Sequence, residues 1–108
     1  MDAKTAIDAE DAWHRTPLYH AASGGLSTAM QMLIDAKARL DVQDPAGLTC
    51  LYRAAANGYA AAVQQLLDAK AAVDLQTQSQ RTALHVGVDY GNLAVVQVLI
   101  AGKATLSV

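Results

Sequence analysis

Apolar residues along this chain come in short clusters, separated by polar stretches rich in turn-forming residues, and the alternation returns with a fixed period. Sliding the sequence by 33 residues lays it over itself. Thr16, Thr49 and Thr82 align, as do Leu18, Leu51 and Leu84, then Gly25, Gly58 and Gly91, then Leu33, Leu66 and Leu99. The stretches 11–43 and 44–76 agree at 16 of 33 positions, and 44–76 and 77–108 agree at 9 of 32. Chance gives about one match in twenty, so the chain is a tandem duplication, and a period of this length is one supersecondary unit per copy.

Each copy has the same internal order. A polar stretch opens it: Asp11-Ala12-Trp13-His14-Arg15, Asp44-Pro45-Ala46-Gly47-Leu48 and Thr77-Gln78-Ser79-Gln80-Arg81. Pro45 and Gly47 mark these stretches as turns. A Thr then stands where its hydroxyl caps the free N–H groups of a helix, and Pro17 follows Thr16 at the first helical position, which proline tolerates. The spacing predicts a brief first helix over 17–23, 50–56 and 83–89, ending at Gly25, Gly58 or Gly91, residues able to take the left-handed conformation of a helix stop. A longer second helix is predicted over 27–36, 60–69 and 93–102, with Val95, Val96, Val98, Leu99 and Ile100 marking its apolar side in the third copy. No unit can cover that apolar side alone, so neighbours must stack. The register also runs backwards: Lys4 aligns with Lys37, Asp8 with Asp41 and Met1 with Ile34. The expected organisation is one domain over 1–108, with 1–10 the end of a preceding partial repeat and 11–43, 44–76 and 77–108 the three repeats. The last helix is apolar with no polar cap after it. The expectation is a segment cut from a longer array or, failing that, a chain that associates through its ends.

Composition supports the helical reading. Hydrophobic residues make up 53% without a single Phe, and a core of Ala, Leu, Val and Ile suits closely approaching helices. Eight basic and ten acidic residues give a net charge of −2, which offers no reason to expect nucleic acid or an anionic membrane as partner. No apolar run approaches the ~18 residues of a membrane span, and the N-terminal Met-Asp-Ala-Lys lacks the apolar stretch of a signal peptide. Cys50 is the one cysteine, so no internal disulfide forms and an intracellular, cytoplasmic setting fits.

The string Thr16-Pro17-Leu18-Tyr19-His20-Ala21-Ala22, with Gly25 three residues beyond, closely resembles the ankyrin pattern T-P-L-H-x-A-A-x-x-G. Thr82-Ala83-Leu84-His85 resembles it too, and Leu33-Ile34 with Lys37-Ala38-Arg39-Leu40-Asp41 looks like the family's L-L-x-x-G-A-x-V-N. The resemblance implies an all-α ankyrin-repeat solenoid of stacked helix-turn-helix units with projecting β-turn or hairpin fingers. It also implies protein binding through the finger tips and the concave face of the first helices. The chain departs from the pattern at named places. Lys37, Lys70 and Lys103 stand where the family has Gly, Tyr19 and Tyr52 replace a His that bonds a neighbouring turn, His20 and Arg53 replace an apolar residue, and Gly87-Val88 replaces an Ala pair.

The candidate contact residues follow. Trp13 and Arg15 lie on the first finger, and Trp and Arg are the commonest hot-spot types; the alternative for Trp13 is packing on the next finger. Leu48 and Arg81 share the column of Arg15. Asn57 and Tyr90, with Asp89 beside the latter, stand at the end of a first helix, while His20 and Arg53 stand one repeat apart and face either the groove or a neighbouring carboxylate. The lysines at 4, 37, 70 and 103, with Asp2, Asp35 and Asp68 nearby, predict a ladder of charge at ~10 Å spacing. It reads more simply as a solvated edge near helix C-termini than as a site for an acidic partner. His14, His20, His85 and Cys50 fit neither a catalytic dyad nor zinc, and no phosphate loop or cofactor motif is present. The leading expectation is a non-catalytic protein–protein interaction module. The alternatives are an assembly segment that self-associates through uncapped ends and a substrate-recruiting domain of a larger enzyme.

Overall fold

The computed structural model describes residues 7–102, so Met1, Asp2, Lys4 and Lys103 lie outside the described residues. Six helices follow in order: α1 (Pro17–Ser23), α2 (Ser27–Asp35), α3 (Cys50–Ala56), α4 (Ala60–Asp68), α5 (Ala83–Asp89) and α6 (Leu93–Ala101). The short helices have the predicted bounds, and the long ones stop one residue earlier than predicted. Helices α1, α3 and α5 pack side by side as an inner row, α2, α4 and α6 form an outer row, and each inner helix packs on the outer helix that follows it. None of the six is long and apolar enough to cross a membrane.

The capping chemistry is as the sequence implies. Thr16, Thr49 and Thr82 are buried, and their hydroxyls accept from the backbone N–H of Tyr19, Tyr52 and His85. His85 adds a reciprocal bond, its Nδ1 accepting the Thr82 N–H at 2.9 Å. Every helix with a described C-terminal turn ends alike. After α1, Leu26 N–H reaches Ala21 O and Gly25 N–H reaches Ala22 O; after α2, Ala38 N–H reaches Leu33 O and Lys37 N–H reaches Ile34 O. This paired closure needs a left-handed residue, supplied by Gly25 (φ 65°) and Gly58 (φ 77°) after the inner helices but by Lys37 (φ 69°) and Lys70 (φ 73°) after α2 and α4.

Location explains the difference. A Cβ on Gly25 would sit 2.9 Å from the Tyr59 ring of the next unit, and one on Gly58 would press on Asn92. Lys37 and Lys70 are exposed, so the turn keeps its shape with a lysine in it. The backbone cost, roughly 1 kcal/mol, is tolerated. The periodic lysines form the solvated edge that the sequence favoured: among the described residues Lys37 and Lys70 are exposed and pair with no carboxylate, while Asp35 and Asp68 accept from Gln31 and Gln64 one turn earlier.

The core repeats in columns. Leu18, Leu51 and Leu84 are buried, as are Ala22 and Ala55 between inner helices and Met30, Val63, Leu66, Val95 and Leu99 between rows. Gly87, which weakens α5 as an isolated helix, is buried where a Cβ would stand 3.2 Å from Val95. The matching pair one unit earlier is Ala54 and Ala62. Glycine at 87 therefore makes room for the larger valine.

Side chains also stitch unit to unit. Asp8 Oδ1 accepts the Arg39 N–H and Asp41 Oδ1 accepts the Ala72 N–H, each at 2.9 Å. The Asn92 amide donates to Ala55 O, and the Gln65 amide donates to Ser27 O. Relieving the left-handed lysine is expected to stabilise the array slightly: Lys70→Gly should raise the unfolding free energy by up to about 0.5 kcal/mol, the conformational relief less the added chain entropy. Gly58→Ala should lower it by at least about 1 kcal/mol. Urea titrations of the two variants check both signs.

Candidate functional site

Each finger is a β-turn closed by its own first residue. Asp11 Oδ1 accepts the Trp13 and Arg15 N–H groups, Asp44 Oδ1 those of Ala46 and Leu48, and Thr77 Oγ1 those of Ser79 and Arg81. Main-chain bonds from Asp11 N to Arg15 O and from His14 N to Asp11 O complete the first turn, and the same pair recurs in the other two. The sequence reading allowed turns or hairpins; these are turns, with no strand among the described residues. Fingers two and three are joined, Gln78 N–H donating to Ala46 O at 2.9 Å. Finger two is tied to the first unit through helix α1, the Tyr19 hydroxyl donating to Asp44 Oδ2 at 3.1 Å.

Trp13 is 62% exposed rather than packed on the next finger. Its ring instead carries Arg15, whose guanidinium carbon lies 5.7 Å from the Trp13 centroid and 5.6 Å from that of Tyr19. His20 Nε2 is 2.8 Å from Asp11 Oδ2. Burial works against the Asp11 charge, but the Arg15 and Trp13 amides and His20 outweigh it and hold this carboxyl below its ordinary range.

Along the inner row the expected contact residues are largely engaged with their own chain. Arg53 Nε donates to Ser23 Oγ at 3.2 Å, and the Asn57 amide donates to Ser23 O at 2.8 Å. Arg81 pairs with Asp89, and Leu48 is half-buried against the core. Tyr90, after α5, is 65% exposed. Nine residues singled out from the sequence therefore occupy three places: finger one and its base (Trp13, Arg15, His20), the middle of the inner row (Leu48, Arg53, Asn57) and the third unit (Arg81, Asp89, Tyr90). Sequence reasoning missed the residues that lock them, Asp11, Asp44 and Ser23. The first two carry a readable signal, a side-chain acceptor two residues before the turn amide it binds.

Cys50 begins α3 but is buried, and its thiol donates to Leu40 O at 3.1 Å. Burial, and then the Asp41 charge, push its pKa up to about 12, the reverse of what a nucleophile needs. Among the described residues no group of His, Cys, Asp or Glu is placed to hold a metal ion.

A family model described as ankyrin repeats (3 copies) matches residues 2–77 and 18–107. The chain belongs to the ankyrin-repeat family. No match is found among curated proteins. Ankyrin repeats are generally protein-interaction modules. Within this ankyrin array Tyr19 stands at the family's His position and still bonds the neighbouring turn through its hydroxyl.

That bond has a pH signature. Burial, and then the Asp44 charge, raise the Tyr19 pKa from 10.0 to about 12. Because the folded value is the higher one, the stability it contributes is fully present below about pH 10 and is lost as pH rises through about 12. Phenolate absorbance should show one tyrosine titrating late, and Tyr19→Phe should remove that component while costing about 1 kcal/mol.

Proposed function

We propose that this chain is a non-catalytic, intracellular protein-binding domain, with repeats 11–43, 44–76 and 77–108, that holds a partner protein on its fingers and inner-helix face. The observation that carries this reading is the contrast on that face. Most of its polar side chains bond their own chain, whereas Trp13 and Tyr90 stand out in the first and third units with most of their surface in water. Exposed aromatics on a pre-ordered frame are the usual anchors of an interface. Trp13→Ala, Arg81→Ala and Tyr90→Ala should each weaken a captured partner, the Trp13 change by at least about tenfold. Titration calorimetry in which all three bind as the parent does would remove this face from consideration.

A second reading has its own observation. Met32 (68% exposed) and Leu26 lie on the side of α2 whose counterparts in α4 meet the preceding unit. Leu93 (73% exposed), Val88 and Ile100 lie on the opposite side of the third unit. The columns of Val88 and Ile100 are covered in the earlier units, with Ala22 and Ala55 buried and Ile34 and Leu67 half-buried. The chain then associates with a second copy through these apolar surfaces. Light scattering should give a mass that rises with concentration, and Met32→Glu or Leu93→Glu should return it to that of a monomer. A monomer mass for the parent at the highest concentration eliminates the reading.

A further inference from the structure

The base of finger one holds an imbalance between hydrogen-bond donors and acceptors. On the acceptor side Glu10 meets His14, and the two carboxylates that close fingers one and two are fully committed. Asp11 and Asp44 each spend one carboxylate oxygen on two backbone amides, and the other on His20 and Tyr19 respectively. On the donor side two arginines are left over. Arg15 Nε is buried with no acceptor, and Arg53 uses only Nε, on a serine hydroxyl. Among the described residues neither has a carboxylate within ion-pair distance, in contrast to Arg81 with Asp89. The Arg15 guanidinium lies over the Tyr19 ring, and Arg53 reaches α1 through Ser23; both charges act against burial and Asp44 on the Tyr19 phenol. Arg15 is held between the Trp13 and Tyr19 rings, so its planar fork is ordered before any ligand arrives, and a carboxylate is the shape that fork fits.

We propose that finger one and the adjoining turns of α1 and α3 bind an acidic peptide segment of the partner, its Asp or Glu carboxylates on Arg15 and Arg53 and an apolar neighbour on Trp13. This rests on the protein-binding reading above and specifies the partner's chemistry. A polyanion such as nucleic acid is disfavoured, because the chain as a whole carries a net charge of −2 and three carboxylates at this corner, Glu10, Asp11 and Asp44, confine the positive potential to the two guanidinium groups.

Trp13 is the only tryptophan, so its fluorescence reports on the corner directly. The probes are a synthetic peptide alternating glutamate and leucine and its glutamine–leucine counterpart. The acidic peptide should bind at least about tenfold more tightly than the neutral one and weaken as salt is raised. Arg15→Gln and Arg53→Gln should each lower its affinity about five- to tenfold, while Arg39→Gln, in the turn after α2, leaves it unchanged. If Arg15→Gln disturbs the finger, which circular dichroism and melting reveal, Arg53→Gln and the charge-retaining Arg53→Lys decide the matter, with the lysine variant falling between parent and glutamine. Equal binding of the two peptides, no binding of the acidic one, or arginine variants that bind as the parent does would overturn the proposal. The broader reading then stands or falls separately, on the captured partner and the Trp13, Arg81 and Tyr90 variants.

Discussion

Coverage of each helix pair by its neighbour is the condition on which every other feature of this protein depends. Leu18, Leu51 and Leu84 are buried because a second row of helices lies behind them and another inner helix lies beside them. The dependence shows in mirror image along the array. Ala29 and Leu33 are only half-buried in the first unit, whereas Ala62, Leu66, Val95 and Leu99 are buried in the units that have a helix pair before them. On the opposite side, Met30 and Val63 are buried and Val96 is half-buried. Stability is therefore divided between what a unit contributes alone and what its two contacts add, the one-dimensional behaviour of stacked repeats. Each buried Leu or Val contributes roughly 1.5–3 kcal/mol, most of it at a seam between units.

Close stacking then dictates which residues stand at the seams. Gly25 is fixed twice over, by its backbone and by the Tyr59 ring lying against it, while Lys37 answers only to its backbone and survives. Gly87 and Val95 show the same constraint acting on volume, since the larger residue on α6 is matched by the loss of a methyl on α5. Polar side chains also reach across the seams at their solvent edge, where Asp8 and Asp41 each accept an amide N–H from the following unit. These bonds fix register, which apolar contact by itself leaves free to slide.

Features that repeat were legible in the sequence, because a column of three similar residues carries its own confirmation. The threonine caps, the buried leucines and the bounds of α1, α3 and α5 belong to this class. What escaped were bonds between units of different residue type: Tyr19 reaching Asp44, Asn57 reaching Ser23, Asn92 reaching Ala55. Such pairs are about 25 to 37 positions apart and leave no periodic trace. The periodic lysines were legible as a solvated edge, while the i,i+4 glutamine partners of Asp35 and Asp68 carry no mark in the lysine period.

The same logic bears on what the surface can do. A residue at a seam is held by two units and has little freedom to change, whereas the finger tips and the solvent side of α1, α3 and α5 are not covered by another helix pair. On that face the chain nevertheless orders its side chains. His20 is set against Asp11, Arg53 against Ser23, and Arg15 between two rings. Ordering a long side chain costs about 1–2 kcal/mol of rotamer freedom, and here that cost is met during folding rather than at an encounter. A partner that meets such a face gives up less entropy per contact than one meeting free lysines and arginines. The internal bonds that occupy the candidate residues are thus compatible with recognition: they hold the unpaired donors of Arg15 and Arg53, and the exposed Trp13 ring, in one arrangement.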